Sequence, residues 1–517
     1  MKPLLDWIDF GKISAERDDL LSEYFYDAGV LSSVIKSNTS FLILGRKGAG
    51  KTAVFRYFSE NTSRFISDNN SLAISLSLQD YSWSAHEALA NPTKATSLAF
   101  LQSWKFVIYV QAITAIKKKY EQNKERPPKS ITSCARLVEK IYQNPYPTIG
   151  QVIGNKILSL SKLRLPGGGV NLEDGDLDEI SIEAGELEFS DLSGDNSLIA
   201  NLSRNIETIT LIFESSIKNT PNLPTVFVCF DRVDEAWDEE SIDSSKRLIA
   251  GLVSASESIT SRLGGKIRPI VFLREDIFEE LSLNDKNKLK ADCGRLLAWQ
   301  RDSLFRVILE RVQYFAKSNG IVPAVSDIDS LFDKDKMRQG MAPSDYILRR
   351  TMMRPRDLIR ILQTVTEDMA GRRDDPFGGD PVSTEKLECS SIYNAEATYS
   401  EWLRGEIVDE WRAQRPDITN YLNAIQNVGS TIVTRESLTN SLSNLGIKLT
   451  EAQVTEVIRF LFENSLIGLK VGKSQQWRFK CFQPMQGFIE ADEYKVHDGL
   501  VRALNLREPR NANQDPS

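Results

Sequence analysis

The chain has 517 residues, 41% of them hydrophobic, and 64 basic against 71 acidic side chains give a net charge of −7 and a pI near 5.4. That length exceeds what one core supports, so about three domains are expected, and the acidic balance argues against general nucleic-acid affinity while leaving room for a local basic site. Five scattered cysteines and two histidines, His86 and His497, argue against a disulfide frame, a zinc site and most histidine-based acid–base chemistry. No apolar run has the length of a bilayer span and the stretch from Met1 to Asp9 lacks a secretory core, so no membrane partner is expected and the cytoplasm is the expected compartment.

In chain order, an N-terminal helical segment is set at residues 1–35, with Leu20, Leu21, Tyr24 and Phe25 forming the apolar stripe of a helix over 14–36. It would lie either against a sheet edge or beside a nucleotide base. Ser40 to Leu44 then reads as a strand running into Gly45-Arg46-Lys47-Gly48-Ala49-Gly50-Lys51-Thr52, the pattern G-x-x-x-x-G-K-T of a P-loop, with a helix continuing from Ala53. Gly45, Gly48 and Gly50 are expected to turn backbone N–H groups around a polyphosphate at conformations a Cβ would forbid. Lys51 would reach the β and γ phosphates as a point charge, and the Thr52 hydroxyl would ligate magnesium. The expected ligands are therefore ATP and Mg2+, held by residues 45–53.

Ser71 to Leu78 alternates as a strand, and the next strong strand begins only at Thr225, so an insertion of mixed α/β character is expected over about 80–205. Its first part reads as an apolar helix through Ala99 to Tyr109, interrupted at Arg126-Pro127-Pro128-Lys129. Its second part, 156–195, reads as short strands, and Asn171 to Asp195 holds many acids and no Lys or Arg, either a solvated segment or a docking face. Leu198 to Lys218 restores a helix. Pro224 to Phe230 is then a continuous apolar run, as a doubly buried strand requires, ending at Asp231-Arg232-Val233-Asp234-Glu235. Asp231 is the Walker B candidate for holding magnesium, and Asp234 and Glu235 are candidates to orient the attacking water; a plain surface turn is the alternative. Lys266 to Leu273 forms another buried strand stopping at Arg274, which would either sense the γ phosphate or pair with a neighbouring acid. Arg295 to Trp299 supplies a fifth strand and closes a core domain at 36–300, with the P-loop strand near the middle of its sheet.

Residues 301–400 read as a helical lid and linker, with helices at Leu304–Val312, Asp327–Phe332, Tyr346–Met353 and from Arg354 onward. Pro355 suits a first helical turn, which puts Arg356 at that helix's start, aimed either at the phosphates or at an acid. After a Gly- and Pro-rich break over 371–381, helices at Asp417–Asn427, Arg435–Asn444 and Glu451–Glu463 precede a hairpin of Leu466–Val471 and Gln476–Cys481, the layout of a winged helix over 401–485. Its third helix displays Glu451, Glu456 and Glu463 beside Arg459, whereas the wing carries Lys470, Lys473, Arg478 and Lys480, so nucleic-acid contact and protein contact both stay open. The tail, 486–517, is expected to be partly disordered.

Gly45 to Thr52, Phe230 to Glu235, Phe272-Leu273-Arg274 and Arg354-Pro355-Arg356 together resemble the additional-strand P-loop ATPases, the group of AAA+, STAND and NACHT proteins. Asp231-Arg232-Val233-Asp234-Glu235 looks like the D-x-x-D-E form of the NACHT type, since Arg232 stands where AAA+ has its glutamate; this leaves the catalytic acid open between Asp234 and Glu235. The resemblance implies an α/β P-loop NTPase with a parallel sheet, a lid and a winged helix, and catalytic roles for Lys51, Asp231, Asp234, Glu235, Arg274 and Arg356. The phrases Leu44 to Thr52 and Phe272 to Phe278 also look like a bacterial P-loop ATPase family whose relatives are suspected in DNA repair and antiviral defence. Two functions follow: an ATPase whose cycle moves the lid and winged helix, or a slow-turnover ATP-dependent switch that assembles as a homo-oligomer or recruits a partner protein.

Overall fold

The computed structural model describes residues 2–66, 70–79, 81–88, 97–164, 181–182, 196–237, 242–321, 325, 327–375, 382–383, 385–472 and 476–507. Most of the acidic run, Lys473, the break at 376–381 and the tail from 508 lie outside them. The chain divides into two compact units, one formed by Asp27–Arg46 and Lys51–Ala298, the other by Met1–Tyr26, Lys47–Gly50 and Trp299–Ser517.

The first unit is built on a parallel sheet of five strands: β1 (Leu42–Gly45), β2 (Ser71–Ser77), β3 (Thr225–Asp231), β4 (Ile267–Arg274) and β5 (Gly294–Leu296), in the order β2-β3-β4-β1-β5. β4 therefore lies between the P-loop strand and the strand ending in Asp231. The register sets Gly45 opposite Arg274 and Ser77 opposite Asp231, so the chemically loaded residues leave the sheet along one edge. Val226 to Asp231 and Ile267 to Leu273 are buried throughout, as strands covered on both faces must be.

Helices α1 (Lys51–Glu60), α2 (Ser97–Gln122), α3 (Lys129–Tyr142), α4 (Asn196–Asn219) and α5 (Ile242–Arg262) cover the sheet. The first part of the insertion is helical, and two of the short strands expected in its second part, Leu163–Arg164 and Ser181–Ile182, pair antiparallel; 165–180 and 183–195 lie outside the described residues. The insertion is not an appendage. Nearly every side chain from Trp104 to Ile113 is buried, and residues of α2, α3 and α4 share one apolar cluster with the strands. An almost uniformly apolar helix has no solvent face and must become core. A buried acid fixes these helices: Glu214 on α4 accepts from Lys105 Nζ and Tyr109 Oη of α2, each at 2.9 Å, and pairs with Arg262 of α5 at 3.2 Å.

The helix expected over 14–36 is two short ones, Leu21–Tyr24 and Val30–Lys36. Between them the Asp27 carboxylate accepts from Gly29 N–H at 2.9 Å and Ser32 Oγ at 2.7 Å, a local turn that competes with the helix, and Gly29 takes φ +85°. Arg268 on β4 caps the second helix, donating to the carbonyls of Val34, Ile35 and Ser37.

The second unit contains α6 (Arg301–Ser318), α7 (Pro355–Asp374), α8 (Cys389–Trp411), α9 (Ile418–Val428), α10 (Arg435–Asn444) and α11 (Glu451–Glu463), with a small antiparallel sheet of β6 (Ile432–Thr434), β7 (Ile467–Leu469) and β8 (Glu493–Val496) in the order β6-β8-β7. The expected hairpin partner at 476–481 is replaced by β8, and Arg478 makes only an isolated bridge to Leu469. A boundary at 485 would cut off the middle strand. Residues 486–507 are built into the unit: Tyr494, Val496, Leu500 and Leu504 are buried. The helix expected over Asp327–Phe332 is one 3-10 turn, Asp329–Leu331, and that expected over Tyr346–Met353 is Pro343–Leu348. It ends because the Asp357 carboxylate takes the Met352 N–H at 2.8 Å while Met353 turns to φ +57°.

Among the described residues all five cysteines are free thiols, four of them buried, and no helix is long and apolar enough to cross a membrane.

Candidate nucleotide site

The loop between β1 and α1 has the backbone its glycines allow. Gly48 (φ +79°) and Gly50 (φ +94°) take left-handed conformations; Gly45 does not, because it closes β1 in the sheet register. Lys51 opens α1 and bends back, its Nζ donating to the carbonyls of Gly45 at 3.1 Å and Arg46 at 3.2 Å. Burial holds its ammonium below the usual lysine range, opposed by the carboxylate of Asp234 and, beyond the Arg274 guanidinium that adds to the lowering, by Asp276 and Asp231.

Asp231 ends β3 at 3% exposure. Its carboxylate accepts from the Thr52 side chain and the Arg232 backbone N–H; burial nevertheless pushes the carboxyl up to about 6, with Asp234 adding and Lys51 opposing. Thr52 and Asp231, separated by 179 positions in the chain, thus meet as the magnesium-ligand pair of a P-loop site would.

The two remaining acids part company. Arg232, at φ +61°, folds its guanidinium onto Glu235 at 2.9 Å, and Glu235 is 36% exposed. Asp234 is the carboxylate that acts most strongly on Lys51. Arg274 reaches the end of β4 and grips Asp276 through Nε at 3.2 Å and Nη2 at 2.7 Å, while Glu275 goes to Lys290 at 3.1 Å. Arg274 is therefore ion-paired and also within the electrostatic reach of Lys51. Ala53, in the first turn of α1, adds backbone only.

The loop tip, Lys47 to Gly50, groups with the second unit. There Trp299 Nε1 donates to the Ala49 carbonyl at 2.8 Å, and a Cβ placed on Gly48 would lie 3.3 Å from Arg354 Cδ and 3.5 Å from Arg356 Cβ. Arg354 pairs with Glu410 at 2.8 Å and Arg356 with Glu406 at 2.6 Å, both acids on α8. Arg356 thus stands at the tip and holds an acid at the same time. Trp299, Glu406 and Glu410 were not foreseen from sequence, whereas an acid neighbour of Arg274 was, and it is Asp276. A tryptophan just past a strand end was the available signal for the first; the two glutamates, 50 and 56 residues from their arginines, offered none.

This sheet order, loop and acid-bearing strand define the class: the chain has the α/β P-loop NTPase fold. As to particular proteins, a family model described as FunZ-associated C-terminal helical domain matches residues 302–408. The chain is similar to the putative transposon gamma-delta 80.3 kDa protein of Escherichia coli K12, 23% identical over 523 residues, 97% of this chain and 67% of that protein. Among solved structures it is similar to the Orc1 protein of Aeropyrum pernix in complex with DNA, 12% identical with a TM-score of 0.37 over 95% of this chain and 96% of that one. Cdc6p of Pyrobaculum aerophilum is another, 11% identical with a TM-score of 0.31 over 94% and 97%.

Proposed function

We propose that the chain binds Mg·ATP on the loop 45–52 and hydrolyses it to ADP and phosphate. The observation carrying this reading is the meeting of the Thr52 side chain with the Asp231 carboxylate beside the partly buried ammonium of Lys51. These residues suit the ligand: a hydroxyl and a carboxylate converge where a hard cation would find oxygen donors, and Lys51 donates to loop carbonyls it can exchange for phosphate oxygens. When bound, magnesium would neutralise charge on the phosphates. Thr52 and Asp231 would hold it, the N–H groups turned inward at Gly48 and Gly50 would orient the phosphates, and Lys51 would stabilise charge developing on them. Asp234 is the better candidate to orient water, since Glu235 is engaged by Arg232. Asp276 fixes Arg274 for a sensing role.

In the second unit, α9 to α11 with the three-stranded sheet read as a winged helix. Its partner is proposed to be a protein, a second copy of the chain or another. The exposed face of α11 carries Glu451, Gln453 and Glu456 beside Arg459, and among the described residues the wing's cations have partners within the unit: Lys480 on Glu463 at 3.2 Å, Arg478 on Gln486 at 2.9 Å and Lys470 over the Trp477 ring. A slow-turnover switch is the second reading, favoured by the Arg356–Glu406 pair, which joins the start of α7 to α8. That the Escherichia coli relative is named a transposon protein supports a setting in mobile-element biology. Phosphate release with and without single- and double-stranded DNA, followed together with particle mass, tests these readings. DNA-stimulated turnover would overturn the protein-partner assignment, and absence of Mg·ATP binding would overturn the whole.

A further inference from the structure

The end of the parallel sheet opposite Asp231 and Lys51 holds a cavity of about 370 Å³. Ser71 and Thr225, the paired first residues of β2 and β3, line it, as do Lys266 and Arg268 at the start of β4. Phe65 and Phe227 supply ring surface. At the rim Gly264 and Gly265 turn at φ +55° and +86°, and no atom lies within 4 Å of where a Cβ would stand on either, so the mouth is bare.

The charge of this cavity has no internal answer. Four cations are buried among the described residues, and three of them meet a carboxylate: Lys105 on Glu214 at 2.9 Å, Arg311 on Asp18 at 3.3 Å and Arg354 on Glu410 at 2.8 Å. Arg268, 8% exposed, is the fourth, and no described carboxylate pairs with it. Its guanidinium donates to the carbonyls of Ile35 at 2.6 Å, Val34 at 2.8 Å and Ser37, and lies 4.7 Å from the Phe227 ring centroid. Lys266 Nζ likewise donates to the carbonyls of Ile217, Lys218 and Thr220 at the end of α4, at 3.1, 2.8 and 2.7 Å. Burial holds both cations below their ordinary range. Carbonyl dipoles solvate a cation but leave its charge in place, and the described lining residues include no Asp or Glu. A buried cation without a counter-charge is costly, and an anion entering from solvent would offset that cost.

We infer that this rear cavity binds a small organic anion with a flat apolar body, its charged head toward Arg268 and Lys266 and its body against Phe65 and Phe227. The volume lies at the lower end of what small-molecule sites enclose, which suits a body of one or two rings. Ring faces accept flat apolar surface, and the hydroxyls of Ser71 and Thr225 supply donors for anionic oxygens. Carboxylate and phosphate heads share this chemistry. None of the lining residues belongs to the loop 45–53 or to 231–235, so the site stands apart from the proposed ATPase activity.

The test is fluorescence titration of the full chain with anilinonaphthalene sulfonate, a flat apolar anion, beside phenylnaphthylamine, the same body without the sulfonate. The anion should saturate a single site and bind about tenfold more tightly than the neutral analogue. Arg268→Met also frees three carbonyls and can fail to fold, so the deciding change is made at Asn38, an exposed residue lining the same cavity. Asn38→Asp places a carboxylate beside the cations and should weaken the anion about three- to tenfold, while the neutral analogue changes by less than about twofold. Equal binding of the two probes would reduce the cavity to a patch of apolar surface and overturn the inference. So would an unresponsive Asn38→Asp, or displacement of the sulfonate by Mg·ATP. Benzoate and phenyl phosphate, added as competitors, tell a carboxylate head from a phosphate head, and failure of both to displace the sulfonate also overturns the inference. A protein that binds the sulfonate as expected but takes up no Mg·ATP would leave this site standing and refute the nucleotide-site reading alone.

Discussion

Lys51→Ala removes the one ammonium that the proposed chemistry requires. A unit charge about 4 Å from a phosphate oxygen contributes about 4 kcal/mol at an effective dielectric near 20. The share that grows as charge develops in the transition state is about 3 kcal/mol, which corresponds to a loss in turnover on the order of a hundredfold or more. Stability should respond far less. Lys51 Nζ makes two carbonyl bonds of 3.1 and 3.2 Å, each contributing about 1 kcal/mol, and losing them is offset by no longer burying an ammonium. The folded variant should therefore melt within a few degrees of the parent. Multiple-turnover phosphate release, read beside thermal unfolding, checks both halves. A well-folded Lys51→Ala protein that hydrolyses ATP within threefold of wild type would refute the assignment of the loop.

The acids after β3 make a paired prediction: Asp234→Asn should lower kcat on the order of a hundredfold, whereas Glu235→Gln should change it less than threefold, since Glu235 already holds Arg232. Reversed ranking in steady-state kinetics would exchange their roles. Glu214→Leu should destabilise the sheet unit by about 3–5 kcal/mol, because Lys105 is left 4% exposed without its carboxylate; chemical denaturation measures it, and a loss under 1 kcal/mol would contradict the burial argument. For acid sensitivity the sign follows from the two buried histidines, which burial holds at about 3 for His86 and about 4 for His497. Below the ordinary 6.5 the unfolded chain binds protons that the folded chain refuses, so stability is intact above that pH and falls as pH drops, by up to about 1.4 kcal/mol per unit for each histidine. His86→Gln should flatten the fall in denaturation midpoint between pH 6.5 and 5 for the sheet unit; an unchanged slope would show that His86 titrates normally.

The central strands were legible because doubly buried parallel strands are uninterrupted apolar runs, as in Val226 to Phe230 and Ile270 to Leu273, β2 because its sequence alternates, and the P-loop because it is a local pattern with a fixed spacing. Misreadings arose where a local signal and a tertiary partner disagreed. Residues 14–36 have helical periodicity, yet the Asp27 side chain breaks it with two hydrogen bonds. β8 is four residues long with a simple alternation, Glu493-Tyr494-Lys495-Val496, which Gly487 and the flanking acids disguise as a tail. The same limit applies to the site. Lys51, Thr52 and Asp231 could be named from sequence, but nothing local distinguishes Asp234 from Glu235 until Arg232 is seen to claim the second, and the partners of Arg354 and Arg356 come from a helix half a hundred residues away.

The position of β8 also bears on how the second unit forms during synthesis. β6 and β7 emerge from the ribosome well before residues 493–496, yet they are not neighbours in the sheet; each takes its ladder from the strand still to come, and β7 meanwhile has only the bridge of Leu469 to Arg478. Until that strand is made, two short edges wait with open backbone groups, so this sheet closes late and in one step, and a nascent chain halted near residue 485 would expose both edges to neighbouring polypeptides.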